Sequence, residues 1–136
     1  KMMPSKLQRS DTDIKKAVDS WCKDPKEATV KYGHISKWNT SMVTYMQKLF
    51  YQKEDFNDDI SKWDMSKVTN LNGLFFRTSF NGDISGWNVS NVINMSYMFY
   101  QTPFNGDISR WNVSSVTNIS NMFNDCPIPK EHKPKF

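Results

Sequence analysis

The sequence predicts an α/β repeat solenoid of about four units, each of 24 to 25 residues, stacked behind a helical N-terminal cap. Three observations predict it. Large apolar residues recur in columns, a strand-like alternation and then a helix-like spacing follow one another inside each unit, and the residues before the first unit carry a separate helical pattern.

The columns can be read directly. The segments are ISKWNTSMVTYMQKLF from Ile35, FNDDISKWDMSKVTNLNGLF from Phe56, FNGDISGWNVSNVINMSYMF from Phe80 and FNGDISRWNVSSVTNISNMF from Phe104. Trp38, Trp63, Trp87 and Trp111 form one column at steps of 25, 24 and 24, and Phe50, Phe75, Phe99 and Phe123 form another. Ile35, Ile60, Ile84 and Ile108 make a third, and Val43, Val68, Val92 and Val116 a fourth. A unit of this size cannot enclose its own apolar face, so each is expected to stack on the next and share a continuous core.

Within a unit, Trp87-Asn88-Val89 alternates as a short strand with both apolar side chains inward, and Ser90 begins a turn. Val92, Met95, Met98 and Phe99 then follow at helical spacing, which predicts a short helix packed behind the strands. The segments Tyr51 to Asp55, Phe76 to Ser79 and Tyr100 to Pro103 vary between units and read as exposed connections.

The ends of such a stack need atypical sequence to cover the apolar faces there. Residues 1–33 supply an N-terminal segment and cap: Ser10 or Asp11 can begin a helix carrying Ile14, Ala17, Val18 and Trp21 on one face. Asp24-Pro25 then starts a second helix that runs to about Tyr32 and stops at Gly33. Residues 34–125 are the four-repeat solenoid, and residues 126–136 are an extended tail without periodicity, suited to covering the last unit or meeting a partner.

The unit, written FNxDISxWxxSxVTxMxxMF, resembles the repeat of the BspA-like surface-protein family, also described as the bacterial surface lipoprotein 26-residue repeat or DUF285. The resemblance covers residues 29–125, and the arrangement also resembles a leucine-rich repeat. It implies a leucine-rich-repeat-like solenoid, a place at the cell surface or outside the cell, and a role in adhesion or protein interaction. It does not imply catalysis. The first unit departs from the pattern, with Tyr32-Gly33-His34 before Ile35 in place of the FN pair, as expected where a unit meets a cap.

Charge and composition narrow the function classes. The net charge of +4 is concentrated at the ends: residues 1–37 hold nine Lys/Arg against five Asp/Glu, whereas residues 38–125 hold six against eight. A nucleic-acid partner is therefore not expected, because its phosphates call for a basic stripe on the folded face. No apolar run approaches the roughly 20 residues of a membrane-spanning helix, and Lys1 to Arg9 lacks the apolar centre of a signal peptide. The chain begins with Lys1 and not Met, so a removed targeting segment and an organellar assembly both stay open beside a surface location.

Enzymatic groups are sparse. His34 and His132 are separated by nearly the whole chain, and there is no nucleophile motif, Gly-rich phosphate loop or paired metal-ligand spacing, so no catalytic residue, cofactor or metal is expected. Cys22 and Cys126 lie at opposite ends of the repeat array and are expected to be free. Asp59, Asp83 and Asp107, each following Asn57, Asn81 or Asn105, admit Ca²⁺ between turns; bonding to unpaired backbone groups is the favoured reading. Five Asn-x-Ser/Thr triplets, at Asn39, Asn88, Asn94, Asn112 and Asn118, are read mostly as by-products of the repeat, several of them expected inside the stack or on a close-packed face.

Two surfaces are candidate protein-binding sites. One is a polar column containing Asn88, with Lys62 and Arg110 beside it, on the open strand face; solenoid curvature makes such a surface a binding face, and a plain solvated polar ladder is the equal alternative. The other is Tyr51, Phe76 and Tyr100, which follow the core Phe column and either stand exposed at an interface or complete packing between helices. The expected function is a non-enzymatic protein-interaction or adhesion module. The alternative is a peripheral structural subunit that stabilises a larger assembly, its basic, irregular ends ordered by neighbouring chains.

Overall fold

A computed structural model describes residues 5–136; residues 1–4 of the N-terminal segment lie outside the described residues. Helix α1 spans Ile14–Lys23 and buries Ile14, Ala17, Val18 and Trp21, the stripe that the spacing predicts. Neither Ser10 nor Asp11 caps it through its side chain. The Ser10 carbonyl accepts from Ile14 N–H at 3.0 Å, while the Asp11 carboxylate reaches forward to Thr44 N–H at 2.8 Å.

Helix α2, Pro25–Tyr32, begins and ends as the sequence suggests. Asp24 Oδ1 accepts from Glu27 N–H at 3.2 Å, Pro25 occupies the first turn, and Gly33 at φ 79° closes the end. A Cβ at Gly33 would also meet the tip of the half-buried Leu7 side chain, which would have to turn aside. The cap therefore depends on glycine for its backbone geometry.

The α/β repeat solenoid of leucine-rich-repeat form, expected over residues 34–125, does not form. Among the described residues both α-helices precede the units, joined by only two short 3-10 turns at Ile35–Lys37 and Lys130–His132. Strands are replaced by isolated parallel bridges, Tyr45–Asn70, Asn70–Asn94 and Asn94–Asn118. Trp87 and Val89 are both buried, but their segment has no regular structure and pairs with no neighbouring strand.

The segment expected to be a helix is a chain of tight turns. Val92, Met95, Met98 and Phe99 are all buried, yet Met98 N–H bonds Met95 O at 3.3 Å and Tyr100 N–H bonds Tyr97 O at 3.4 Å. Tyr97 and Gln101 sit at φ 58° and 54°, a left-handed conformation that a right-handed helix cannot contain. Lys48 and Gln52, Gly73 and Arg77, and Asn121 and Asp125 repeat this in the other units.

Turning frees alternate N–H groups to point along the stack. Met46, Lys48, Phe50 and Gln52 donate to the carbonyls of Asn70, Asn72, Leu74 and Phe76 at 2.7–3.0 Å, and the next two units repeat the pattern. The spacing of the units explains why turns replace helices. Rings of the Phe column lie 5.9, 5.7 and 5.7 Å apart from Phe50 to Phe123, and Trp38–Trp63 and Trp87–Trp111 lie 6.0 and 6.3 Å apart. Packed helices need about 8–10 Å between axes. Units whose rings repeat near 6 Å leave no room for a helix in each, and the backbone bonds across units instead.

Stacked aromatic columns run through a core whose remaining residues are aliphatic or Met. Phe56, Phe80 and Phe104 form a further column at 6.0 and 6.2 Å, and each packs flat on the Phe column at 3.9–4.4 Å. Trp63, Trp87 and Trp111 each donate their indole N–H to the Ile carbonyl of the preceding unit, at Ile35, Ile60 and Ile84. The tail folds back as a short turn over the last unit: Ile128 is buried and the His132 carbonyl accepts from Ile108 N–H at 3.0 Å.

Candidate functional site

The corners of each unit are built by short polar side chains. Asp59, Asp83 and Asp107 each accept from the backbone N–H two residues on, at Ser61, Ser85 and Ser109, at 2.9–3.0 Å. Asn39, Asp64, Asn88 and Asn112 do the same at a second corner, and Asn70, Asn94 and Asn118 at a third. All five Asn-x-Ser/Thr triplets are thus corner turns. Their asparagines lie on the surface, with only Asn94 half-buried, and not inside the stack.

These corners occupy the carboxylates that could have suggested a cation site. Hydrogen bonds from Ser61, Ser85 and Ser109 hold Asp59, Asp83 and Asp107 below the usual carboxylate range. Asn57 and Asn81 carry the ladder further, accepting from Asn81 and Asn105 N–H at 2.8 and 3.0 Å. Among the described residues no group of three or more His, Cys, Asp or Glu is placed to hold a metal ion. His34 takes the corner position of the first unit, its Nδ1 accepting from Ser36 N–H at 3.2 Å, and packs edge-on against Trp21 at 4.7 Å.

Both cysteines are free. Burial pushes the Cys22 thiol up to about 11, against a smaller opposing pull from Lys53. Beside it, a cavity of about 250 Å³ lies between the cap and the second unit, lined by Trp21, Lys53 and Asp58 among others. Trp21 Nε1 bonds Asp58 at 2.9 Å and Lys53 pairs with Asp19 at 3.1 Å. These contacts seat the cap.

The aromatic connections form the most distinctive surface. Tyr51, Phe76 and Tyr100 are half-buried and stack face to face, at 4.4 Å and 14° and then 4.6 Å and 6°. Tyr97 leans on the end of this row, 5.6 Å from Tyr100 and 6.2 Å from Phe76. Lys48 Nζ lies 5.3 Å over Tyr51, and the Arg77 guanidinium 5.5 Å over Phe76. A depression of about 320 Å³ lies alongside, lined by Lys48, Tyr51, Asn72, Gly73, Phe76 and Tyr97.

Tyr51 and Tyr100 cover both faces of Phe76, so an incoming group meets the edges of the row and two cations. That combination suits carbonyl and carboxylate oxygens with some apolar contact. Lys62, Asn88 and Arg110 are exposed on a different part of each unit, ahead of or just after the Trp column. None of them shares a described hydrogen bond or ring contact with Tyr51, Phe76 or Tyr100, and Asn88 spends its oxygen on Ser90 N–H. Sequence reasoning missed Lys48, Arg77 and Tyr97. Gly73, which shares its column with Lys48, Tyr97 and Asn121, was the one signal that this position turns.

A family model described as "Mycoplasma protein of unknown function, DUF285" matches residues 12–135. The chain belongs to DUF285. The DUF285 match takes in α1 and nearly all of the tail, so the ends are part of the family pattern along with the units. No curated protein and no solved structure matches the chain. Among the described residues, no helix is long and apolar enough to cross a membrane.

Proposed function

We propose that this DUF285 chain is a non-enzymatic protein-binding module whose contact surface is the aromatic row Tyr51, Phe76 and Tyr100 with Lys48 and Arg77. The observation that carries the reading is the row itself. Rings held half-buried by one another present rigid apolar edges at little further entropic cost, with cations fixed beside them. The partner surface is a protein patch with acidic or carbonyl oxygens around an apolar centre. Lys62, Asn88 and Arg110 make an accessory polar face within the same proposal.

The adhesive role implied by the BspA-like resemblance belongs to this proposal as well. Its non-enzymatic character is supported by the corner carboxylates, which are engaged in turns, and by His34, which does the same work in the first unit. The test is crosslinking of the chain in its native source, followed by mass spectrometry, against the Tyr100→Ala and Arg77→Glu variants. A stoichiometric protein partner held by the native chain and lost by both variants supports the reading. Equal recovery by all three, or migration of the native chain alone at the mass of a single chain, overturns it.

A further inference from the structure

The two ends of the stack are finished differently. At the first unit, Asp11 accepts from the N–H groups of Thr44 and Tyr45, and α1 covers the apolar side with Ile14 buried beneath it. At the last unit, the tail closes the part that carries Phe104 and Ile108, through Cys126, Ile128 and His132, and sends Lys133 Nζ to 5.1 Å over the Phe123 ring. The Ile119 side chain and the outward N–H groups from Ile119 to Asp125 are left open.

That open stretch keeps the chemistry of an interior one. Met46, Leu71 and Met95 are 0–1% exposed, whereas Ile119, next in their column, is 43% exposed. Val116 and Phe123 are half-buried where their column mates are fully buried. Met95, Tyr97, Phe99 and Gln101 each donate N–H to the following unit, but the equivalent groups of Ile119, Asn121, Phe123 and Asp125 have no acceptor among the described residues. A unit finished for water would carry polar side chains in these columns.

The face also selects its occupant. Its N–H groups point outward, while the carbonyls of Asn118, Ser120, Met122 and Asn124 point back and are taken by the preceding unit. A second copy docked by two-fold symmetry would set donors against donors. Head-to-tail docking is blocked because Asp11 and α1 cover the opposite end. We infer that this open end docks a segment of a different protein, one that presents backbone carbonyls at alternate residues and an apolar side chain over Ile119. The contact continues the interface already made between units, in the manner of a strand added to an open edge.

This face is separate from the aromatic row of the proposed function, and its test is independent. The full chain is titrated with a synthetic peptide of residues Thr102–Asp125, which carries the required carbonyl row, while amide hydrogen exchange is followed residue by residue. At about 1 mM peptide, exchange at Ile119, Asn121, Phe123 and Asp125 should slow by about ten-fold or more. Ile119→Lys, at an exposed position, should abolish the slowing with the circular dichroism spectrum unchanged, and Tyr100→Ala should leave it intact. The inference is overturned if these amides are already protected in the free chain, if the peptide leaves them unchanged, or if Ile119→Lys binds as well. Concentration-dependent dimerisation lost in Ile119→Lys would overturn it in favour of a second copy.

Discussion

The indole N–H of Trp87 donates to the carbonyl of Ile60, 27 residues earlier, across 3.2 Å in the buried core. The bond ties each unit to its predecessor through the residue that also supplies the largest apolar surface. Phe in place of Trp87 keeps the ring but leaves the Ile60 carbonyl buried without this donor and opens space beside it. Trp87→Phe is expected to destabilise the fold by about 2–4 kcal/mol, read from urea unfolding. A cost below about 0.5 kcal/mol would show that the bond does not hold the units together.

Left-handed backbone at non-glycine residues is the strain that the stack carries. Gln52 sits at φ 60° with an exposed side chain. Gln52→Gly should stabilise by about 0.5–1 kcal/mol, because relief of αL strain exceeds the added chain entropy of glycine. Gly73→Ala should move stability the other way by about 1 kcal/mol, since φ there is 63° and the new Cβ would lie 3.3 Å from Lys48 Cγ. Thermal or urea unfolding of the pair would check the opposed signs.

The corner carboxylates predict acid sensitivity. Asp59, Asp64 and Asp107 are lowered first by side-chain hydrogen bonds from Ser61, Ser66 and Ser109, and Asp83 first by Ser85 N–H. For Asp11 burial works against ionisation, but the bonds from Thr44 and Tyr45 outweigh it and the net shift is also downward. A folded value below the unfolded one gives stability that is present above the unfolded value, about 3.9, and lost as pH falls through the folded one. The melting temperature should therefore hold down to about pH 5 and drop below about pH 4. Asp11→Asn should lower stability at pH 7 and flatten part of the drop.

Cys22 offers a chemical probe of the seated cap. With its thiol pushed up to about 11, it should react with a disulfide reagent at neutral pH about two orders of magnitude more slowly than a free thiol. Unfolding in urea should restore the ordinary rate. Asp58→Ala, which removes the acceptor for Trp21 Nε1 at the same seam, should accelerate the folded-state reaction if the cap is held there.

The residue period alone determined that apolar side chains would meet their counterparts 24 or 25 positions away, and Trp38 over Trp63 and Phe50 over Phe75 follow from it. It also determined the buried face of α1, the start of α2 at Pro25 and its stop at Gly33, because spacing and local turn chemistry act within a few residues. The backbone between the columns was decided by tertiary structure. Val92, Met95 and Met98 lie at a spacing that serves a helix or a run of tight turns equally well, and local sequence does not separate them. The separation near 6 Å between Phe75 and Phe99 excludes a helix in every unit and lets the N–H of Phe75 find the Met98 carbonyl instead. The surface followed from the same choice: Tyr51, Phe76 and Tyr100 became a stacked row, and Ile119 an open edge, because turns direct both side chains and N–H groups along the stack.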